Sequence, residues 1–101
     1  MAGFQHGQVL TEVRASVDPS RHDAVVEGFE ALLAQPRPDG LLRTELLKVG
    51  DEFRIQTLWR DPEALAAMRA GTEEPAAPRL FRSVGGEPQL TVLEVKAATA
   101  P

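Results

Sequence analysis

The sequence predicts a single α+β domain of order β-α-β-β-α-β, the split βαβ or ferredoxin-like arrangement, with two crossover helices on one face of a four-stranded antiparallel sheet. Three observations carry this expectation. Residues 8–17, 41–49, 52–59 and 90–96 are short stretches whose side chains alternate with the period of a strand. Gly50-Asp51 separates the middle two by two residues with glycine first, which suits a type II′ hairpin turn. Asp-Pro follows the first stretch at Asp18-Pro19 and the third at Asp61-Pro62, each time an N-cap and a first-turn proline that launch a helix.

Taken in order, residues 1–7 are expected to be a flexible lead-in. In the first strand Val9, Thr11, Val13, Ala15 and Val17 share one side. The first helix runs to about Ala34 with Val25, Val26, Phe29, Leu32 and Leu33 on one stripe at helical spacing. Gln35 to Gly40, rich in proline, breaks it. Counting outward from Val49 opposite Glu52 sets the hairpin register: Leu46 faces Ile55, Thr44 faces Thr57 and Leu42 faces Trp59. On the other side Arg43 faces Leu58, Glu45 faces Gln56 and Leu47 faces Arg54. Gly71, Pro75 and Pro78 divide the second helical region into two pieces, 62–70 and 78–84, because proline and glycine interrupt a continuous helix. A last strand covers 90–96, and 97–101 is a flexible tail, so the folded domain spans 8–96.

The helix-covered face is expected to carry Val13, Leu46, Ile55, Trp59 and Leu93, with Thr11, Thr44, Thr57 and Thr91 as its polar groups. The opposite face would expose Leu10, Leu41, Leu47, Leu58, Leu90 and Val92 among Glu12, Arg14, Arg43, Glu45, Arg54 and Glu94. An apolar patch with interleaved charges is the composition of an interface. A homodimer packed sheet to sheet through this open face is the expected partner arrangement. It also enlarges the core of a chain that alone buries only roughly 60–70% of its unfolded surface.

Composition narrows the function. The 101 residues carry a net charge of −4 with both signs interspersed, and no basic stripe with aromatics points to nucleic acid. The absence of cysteine excludes disulfides, thiol chemistry and cysteine metal sites. His6 and His22 lie far apart with no carboxylate at ligand spacing, so no metal site is expected. No stretch approaches the ~20 apolar residues of a membrane span, and a cytoplasmic location is the expectation.

The segment Trp59-Arg-Asp-Pro-Glu-Ala-Leu65, with Pro38-Asp-Gly-Leu41 opening the second strand and the alternation Phe53-Ile55-Thr57-Trp59, resembles the antibiotic biosynthesis monooxygenase family over about residues 9–95. The resemblance implies a dimeric α+β barrel and a pocket between sheet and helices in each subunit. It also implies a cofactor-independent monooxygenase acting on a small aromatic or quinol, with no metal or flavin. Met68 stands where family members commonly have a histidine, and Thr57 where many have a glutamate. The chain has no Asn or Tyr, residues that better-known catalytic members use.

The candidate substrate-binding residues are therefore Trp59, Met68, Thr57, Thr44, Thr11 and Phe81, and no catalytic residue is assigned. Trp59 closes the strand–helix elbow as a core residue as well as a wall, Met68 suits gap-filling, and Phe81 also suits the core. A general acid or base needs a titratable group within hydrogen-bond reach, and threonines with one tryptophan supply little of that. A non-oxidative binding or polyketide-cyclase-like protein of the same fold, and a structural dimer without catalysis, are the competing expectations.

Overall fold

A computed structural model of the chain describes residues 7–99. The expected lead-in, His6 included, lies outside them apart from residue 7, as do residues 100 and 101 of the expected tail. The elements are β1 (Val9–Ser16), α1 (His22–Leu33), β2 (Leu41–Val49), β3 (Glu52–Trp59), α2 (Pro62–Ala70), α3 (Ala76–Ser83) and β4 (Gln89–Glu94). The strands form one antiparallel sheet in the order β2-β3-β1-β4. This is the ferredoxin-like α+β fold expected from the alternation of strand and helix signals.

The two Asp-Pro devices act differently. Asp61 caps α2 by accepting the Ala64 amide at 2.8 Å, with Pro62 in the first turn. Asp18 instead accepts from the backbone N–H and hydroxyl of Ser20. Its tight loop closes a short 3-10 turn, Pro19–Arg21, ahead of α1. The second helical region is two helices, as Gly71, Pro75 and Pro78 require. The later one begins at Ala76, with Pro75 at its N-cap, so Pro78 is tolerated in the first turn where its missing N–H costs nothing.

The hairpin turn has Gly50 at φ 58 and no positive φ at Asp51, which is the type II′ pattern. The register runs as counted from Val49↔Glu52 to Arg43↔Leu58 and then slips. A bulge leaves Leu42 unpaired and puts Leu41, not Leu42, opposite Trp59. The extra residue reverses the alternation, so Leu41 turns to the helix side and packs beside Trp59.

β4 requires a second correction. Its ladder to β1 pairs Val13 with Leu90, Thr11 with Val92 and Val9 with Glu94. Leu90, Val92 and Glu94 therefore lie on the helix side, and Leu93 and Thr91 on the open side, the reverse of the expectation. Both rows of this strand contain apolar residues, so its periodicity alone does not choose a face.

The core is in two parts. The larger joins Val13, Ala15, Val17, Phe53 and Ile55 of the sheet side to Val25 and Phe29 of α1 and to Phe81 and Val84 of the α3 segment. Phe81 and Val25 are fully buried there, each stabilising the fold by roughly 1.5–3 kcal/mol. The smaller gathers Val9, Trp59, Ala64 and Leu65, with Leu41 and Met68 against it. Val26 and Leu33 of the expected α1 stripe are 43% and 57% exposed, so the buried arc of α1 is narrower than its apolar arc. The open sheet face carries Leu10, Leu47, Leu58 and Leu93 around an ionic network. In it Gln56 donates to Glu12 at 2.9 Å, and Arg54 pairs with Glu52 at 2.8 Å.

Candidate functional site

The end of β3 fixes the site. The Arg60 amide donates to the Gly40 carbonyl at 2.7 Å, closing the chain across the start of β2. The Arg60 guanidinium then ties Asp61 at 3.1 Å and Asp39 at 3.3 Å. These bonds hold the Arg60 pKa above its ordinary value, Asp61 contributing first. The Asp61 carboxyl is held low, chiefly by the Ala64 amide and then by Arg60. Strand, cap and helix are thereby locked at one corner, and Trp59 at that corner is only 3% exposed.

Between this corner, the sheet and the helices lies a cavity of about 460 Å³. That is within the range of small-molecule sites. Its floor is a cross-strand row. Thr11 of β1, Thr57 of β3 and Thr44 of β2 occupy one level of the ladder, with Trp59 one step along on the same side. The sheet dictates that juxtaposition, because paired residues on one face stand roughly 5 Å apart. Leu65, Met68 and Arg69 of α2, Pro75 to Arg79 around the start of α3, Leu32 and Leu33 of α1 and Leu90 of β4 supply much of the rest of the lining.

The polar groups of the floor are largely satisfied among themselves. Trp59 Nε1–H donates to Thr11 Oγ1 at 3.3 Å, and Thr11 Oγ1 reaches the Thr57 carbonyl at 3.4 Å. The hydroxyls of Thr44 and Thr57 are 2.9 Å apart. One of that pair donates to the other, so a single O–H remains able to donate to something in the cavity. The lining contains no His, Asp, Glu, Lys, Tyr or Cys among the described residues. Its only ionised side chains among the described residues are Arg69 and Arg79. Among the described residues no group of three or more His, Asp or Glu could hold a metal ion.

Of the residues expected at the site, Trp59, Met68, Thr57, Thr44 and Thr11 line this cavity. Phe81 does not: helical spacing turns it into the larger core against Val25, where it has no exposed surface. Thr91 faces the open side of the sheet and is likewise away from the cavity. His22 is remote, its Nε2 within 2.9 Å of the Val17 carbonyl and its ring edge-on to Phe53. Arg69 and Leu90 were not anticipated as lining. Arg69 has a sequence signal, since it follows Met68 on the helix launched by Asp61. Leu90 has none, because only long-range pairing sets the face of β4.

With the fold and cavity in hand, similarity to solved structures places the chain. Its fold is that of small ferredoxin-like α+β proteins which include oxygenases. The cofactor-independent oxygenase SnoaB of Streptomyces nogalater superimposes with a TM-score of 0.64 at 20% identity, covering 89% of this chain and 94% of that one. A Deinococcus radiodurans protein assigned provisionally as an antibiotic biosynthesis monooxygenase has a TM-score of 0.71 at 14% identity, over 92% of this chain and 97% of that chain. A Nitrosomonas europaea protein of unknown function has a TM-score of 0.74 at 18% identity, over 96% of this chain and 97% of that chain. No protein-family model matches the chain, and no curated protein sequence matches it. Among the described residues no helix is long and apolar enough to cross a membrane.

Proposed function

We propose that the protein is a cofactor-independent monooxygenase that takes a small, flat aromatic or quinol into the cavity beside Trp59. The observation that supports this reading most is a largely apolar cavity of about 460 Å³ with almost no free hydrogen-bonding capacity on its floor. Such a site favours a substrate that carries its own reactivity. An anthrone-like CH2 flanked by aromatic rings is acidic enough to give its proton to the buffer before entry, leaving a carbanion delocalised onto the ring oxygen. Dioxygen accepts its electrons and adds at that carbon, the resulting peroxide takes one proton back from solvent, and loss of water leaves a carbonyl. One oxygen atom enters the product and the other leaves as water.

In this reading the protein's part is positional and electrostatic. Trp59, Leu65 and Met68 hold the rings and keep water out, which protects the reactive carbanion. The spare O–H of the Thr44–Thr57 pair is placed to donate to an oxygen on which charge develops. The reading carries over what SnoaB is named for, on the ground of a shared fold and a cavity in this chain suited to that chemistry. It also keeps the cytoplasmic location expected from the sequence.

A second reading is favoured by the lack of a base among the described residues of the lining: the same cavity binds its ligand without oxidation, as a carrier or cyclase-like protein. Oxygen uptake separates the two. With an anthrone and a metal chelator present, the oxygenase reading requires uptake above the protein-free rate that falls when Thr57→Val and Trp59→Ala are introduced. Saturable binding with no uptake across a panel of anthrones and naphthoquinols supports the second reading instead. A closed cavity that binds none of them leaves a structural dimer without catalysis.

The homodimer belongs to this proposal too. Leu10, Leu58 and Leu93 form an apolar row on the uncovered sheet face, with Leu47 further along it at the level of Arg54, and every residue of the edge strand β4 is exposed in the single chain. A second copy laid on that face covers the row and the open side of β4, where Thr91 and Leu93 stand.

A further inference from the structure

We infer that Asp39-Gly40 is a site of covalent modification, at which Asp39 isomerises to isoaspartate at a rate restrained by the Arg60 side chain. The reaction is intramolecular. The Gly40 amide nitrogen attacks Cγ of Asp39, a carboxyl oxygen leaves as water with the amide proton, and a succinimide ring closes. Water then adds at the main-chain carbonyl of Asp39 and breaks its bond to the Gly40 nitrogen. The chain thereafter runs through the side-chain carboxyl, one methylene longer, with a free α-carboxylate. One water leaves and one returns, so no oxidant or cofactor is needed.

The sequence narrows this chemistry to one place. The chain has five aspartates and no asparagine. Asp18 and Asp61 precede proline, whose nitrogen has no proton to lose. Asp23 lies in the first turn of α1, where the helix fixes its backbone. Asp51 precedes Glu52, whose side chain crowds the amide nitrogen. Asp39 alone precedes glycine, which has no side chain to shield that nitrogen. Its own side chain is 92% exposed. Among the described residues nothing accepts from the Gly40 N–H, so the attacking nitrogen is unengaged.

The fold sets the rate. The Leu41 N–H donates to the Pro38 carbonyl at 3.1 Å and Gly40 has φ +83, which makes residues 38–41 a type II turn with Asp39 and Gly40 at its centre. In such a turn ψ of the first central residue is about +120°, which turns the next nitrogen away from that residue's own side chain. Ring closure therefore needs the peptide between Asp39 and Gly40 to rotate. Arg60 opposes that rotation twice. Its amide donates to the Gly40 carbonyl at 2.7 Å, and its guanidinium holds the Asp39 carboxylate at 3.3 Å. The guanidinium also lies over Gly40, 3.3 Å from where a β-carbon would stand. An ionised carboxylate is a poor electrophile, so the ion pair protects through charge as well as geometry. The product, one methylene longer, would displace Gly40 from its close packing on Ala64 and loosen the corner.

The test is peptide mapping of the full-length protein after several weeks at about 37 °C and neutral pH, folded and in urea. Trypsin releases residues 22–43, because the Arg37-Pro38 bond resists it. Isoaspartate splits that peptide into two species of equal mass, which electron-transfer fragmentation assigns to Asp39 or Asp23. The inference predicts conversion at Asp39 alone, slower in the folded protein than in urea. Arg60→Gln should raise the folded-state rate about twofold to fivefold, the range an exposed ion pair supports, and leave the rate in urea unchanged. Should that variant not fold, raising salt from 50 to 500 mM weakens the same pair in the native protein and should accelerate conversion likewise. The aged native protein should melt lower as isoaspartate accumulates, and aged Asp39→Glu should not. No isoaspartate at Asp39 in the folded protein after the urea sample has converted overturns the inference. So does a folded-state rate that neither Arg60→Gln nor salt changes.

Discussion

Gly40 joins the fold to the site, and adding one carbon there separates two costs. Its φ of +83 lies where a side chain strains the backbone, by roughly 1–2 kcal/mol. A β-carbon at this position would also stand 2.4 Å from Ala64 Cβ, against the ~3.5–4.0 Å at which carbon atoms pack. Ala64 is 5% exposed and belongs to α2, so the helix must move by on the order of 1 Å, an overpacking cost of roughly 1–3 kcal/mol. Alanine narrows the unfolded ensemble, which returns about 0.4–1 kcal/mol. Gly40→Ala should therefore destabilise by about 2–4 kcal/mol. Gly50→Ala is the control, with φ 58 and nothing within 4 Å of the added carbon, and should lose only about 1 kcal/mol. In a domain of this size 1 kcal/mol moves Tm by about 4–8 °C. Calorimetry should then show a fall of about 10–25 °C for Gly40→Ala and of about 4–8 °C for Gly50→Ala. Because α2 carries Leu65 and Met68, ligand affinity of folded Gly40→Ala should fall as well. If Gly40→Ala melts no lower than Gly50→Ala, the contact with Ala64 does not govern this corner.

Other perturbations test separate parts of the account. Asp18 and Asp61 have carboxyls held below their ordinary 3.8, Asp18 mainly by the Ser20 hydroxyl and amide, Asp61 mainly by the Ala64 amide. Their stabilising effect is present above that value and is lost as pH falls through it towards their folded pKa values. Acid unfolding below about pH 4 should accordingly be shallower in Asp18→Asn/Asp61→Asn, as followed by circular dichroism. Thr57→Val leaves the Thr44 hydroxyl without its partner and should cost about 1 kcal/mol in urea unfolding. Thr44→Val/Thr57→Val, with both hydroxyls gone, should recover much of that loss. Light scattering at micromolar concentration should find a dimer, and Leu58→Lys should give a monomer, since the substitution puts an unpaired cation in the apolar row of the open face. A native monomer, or a Leu58→Lys dimer as stable as the native one, would contradict that interface.

Much of the fold was legible because local and global signals agree. The two Asp-Pro starts, the Gly50 turn and the prolines around α3 each act within a few residues, so reading them requires no tertiary information. The threonine row follows from the same alternation, since strand period and hairpin register set Thr44 beside Thr57. What failed depends on distant pairing. Nothing local marks the bulge at Leu42, which is neither glycine nor proline. Leu90 and Leu93 are chemically interchangeable until β1 selects a face for the strand. Phe81 shows a further limit. Helical spacing gives the direction of a side chain on its own helix, but not whether the neighbouring surface is core or cavity. The space at Trp59 and the core at Phe81 are both apolar neighbourhoods, and only the first borders the cavity.

The central claim is that Trp59 borders a site for a small aromatic molecule, and its indole N–H gives the most direct test. It is the chain's only indole, and its donor bond to Thr11 places it at the threonine floor. In a 15N-correlated NMR titration with 2-naphthoate, the account predicts that this single resonance shifts saturably, with one ligand per chain and threonine signals from Thr11, Thr44 and Thr57 moving on the same curve. An indole resonance that stays fixed while other surface signals move, or that never saturates, would contradict a binding site beside Trp59.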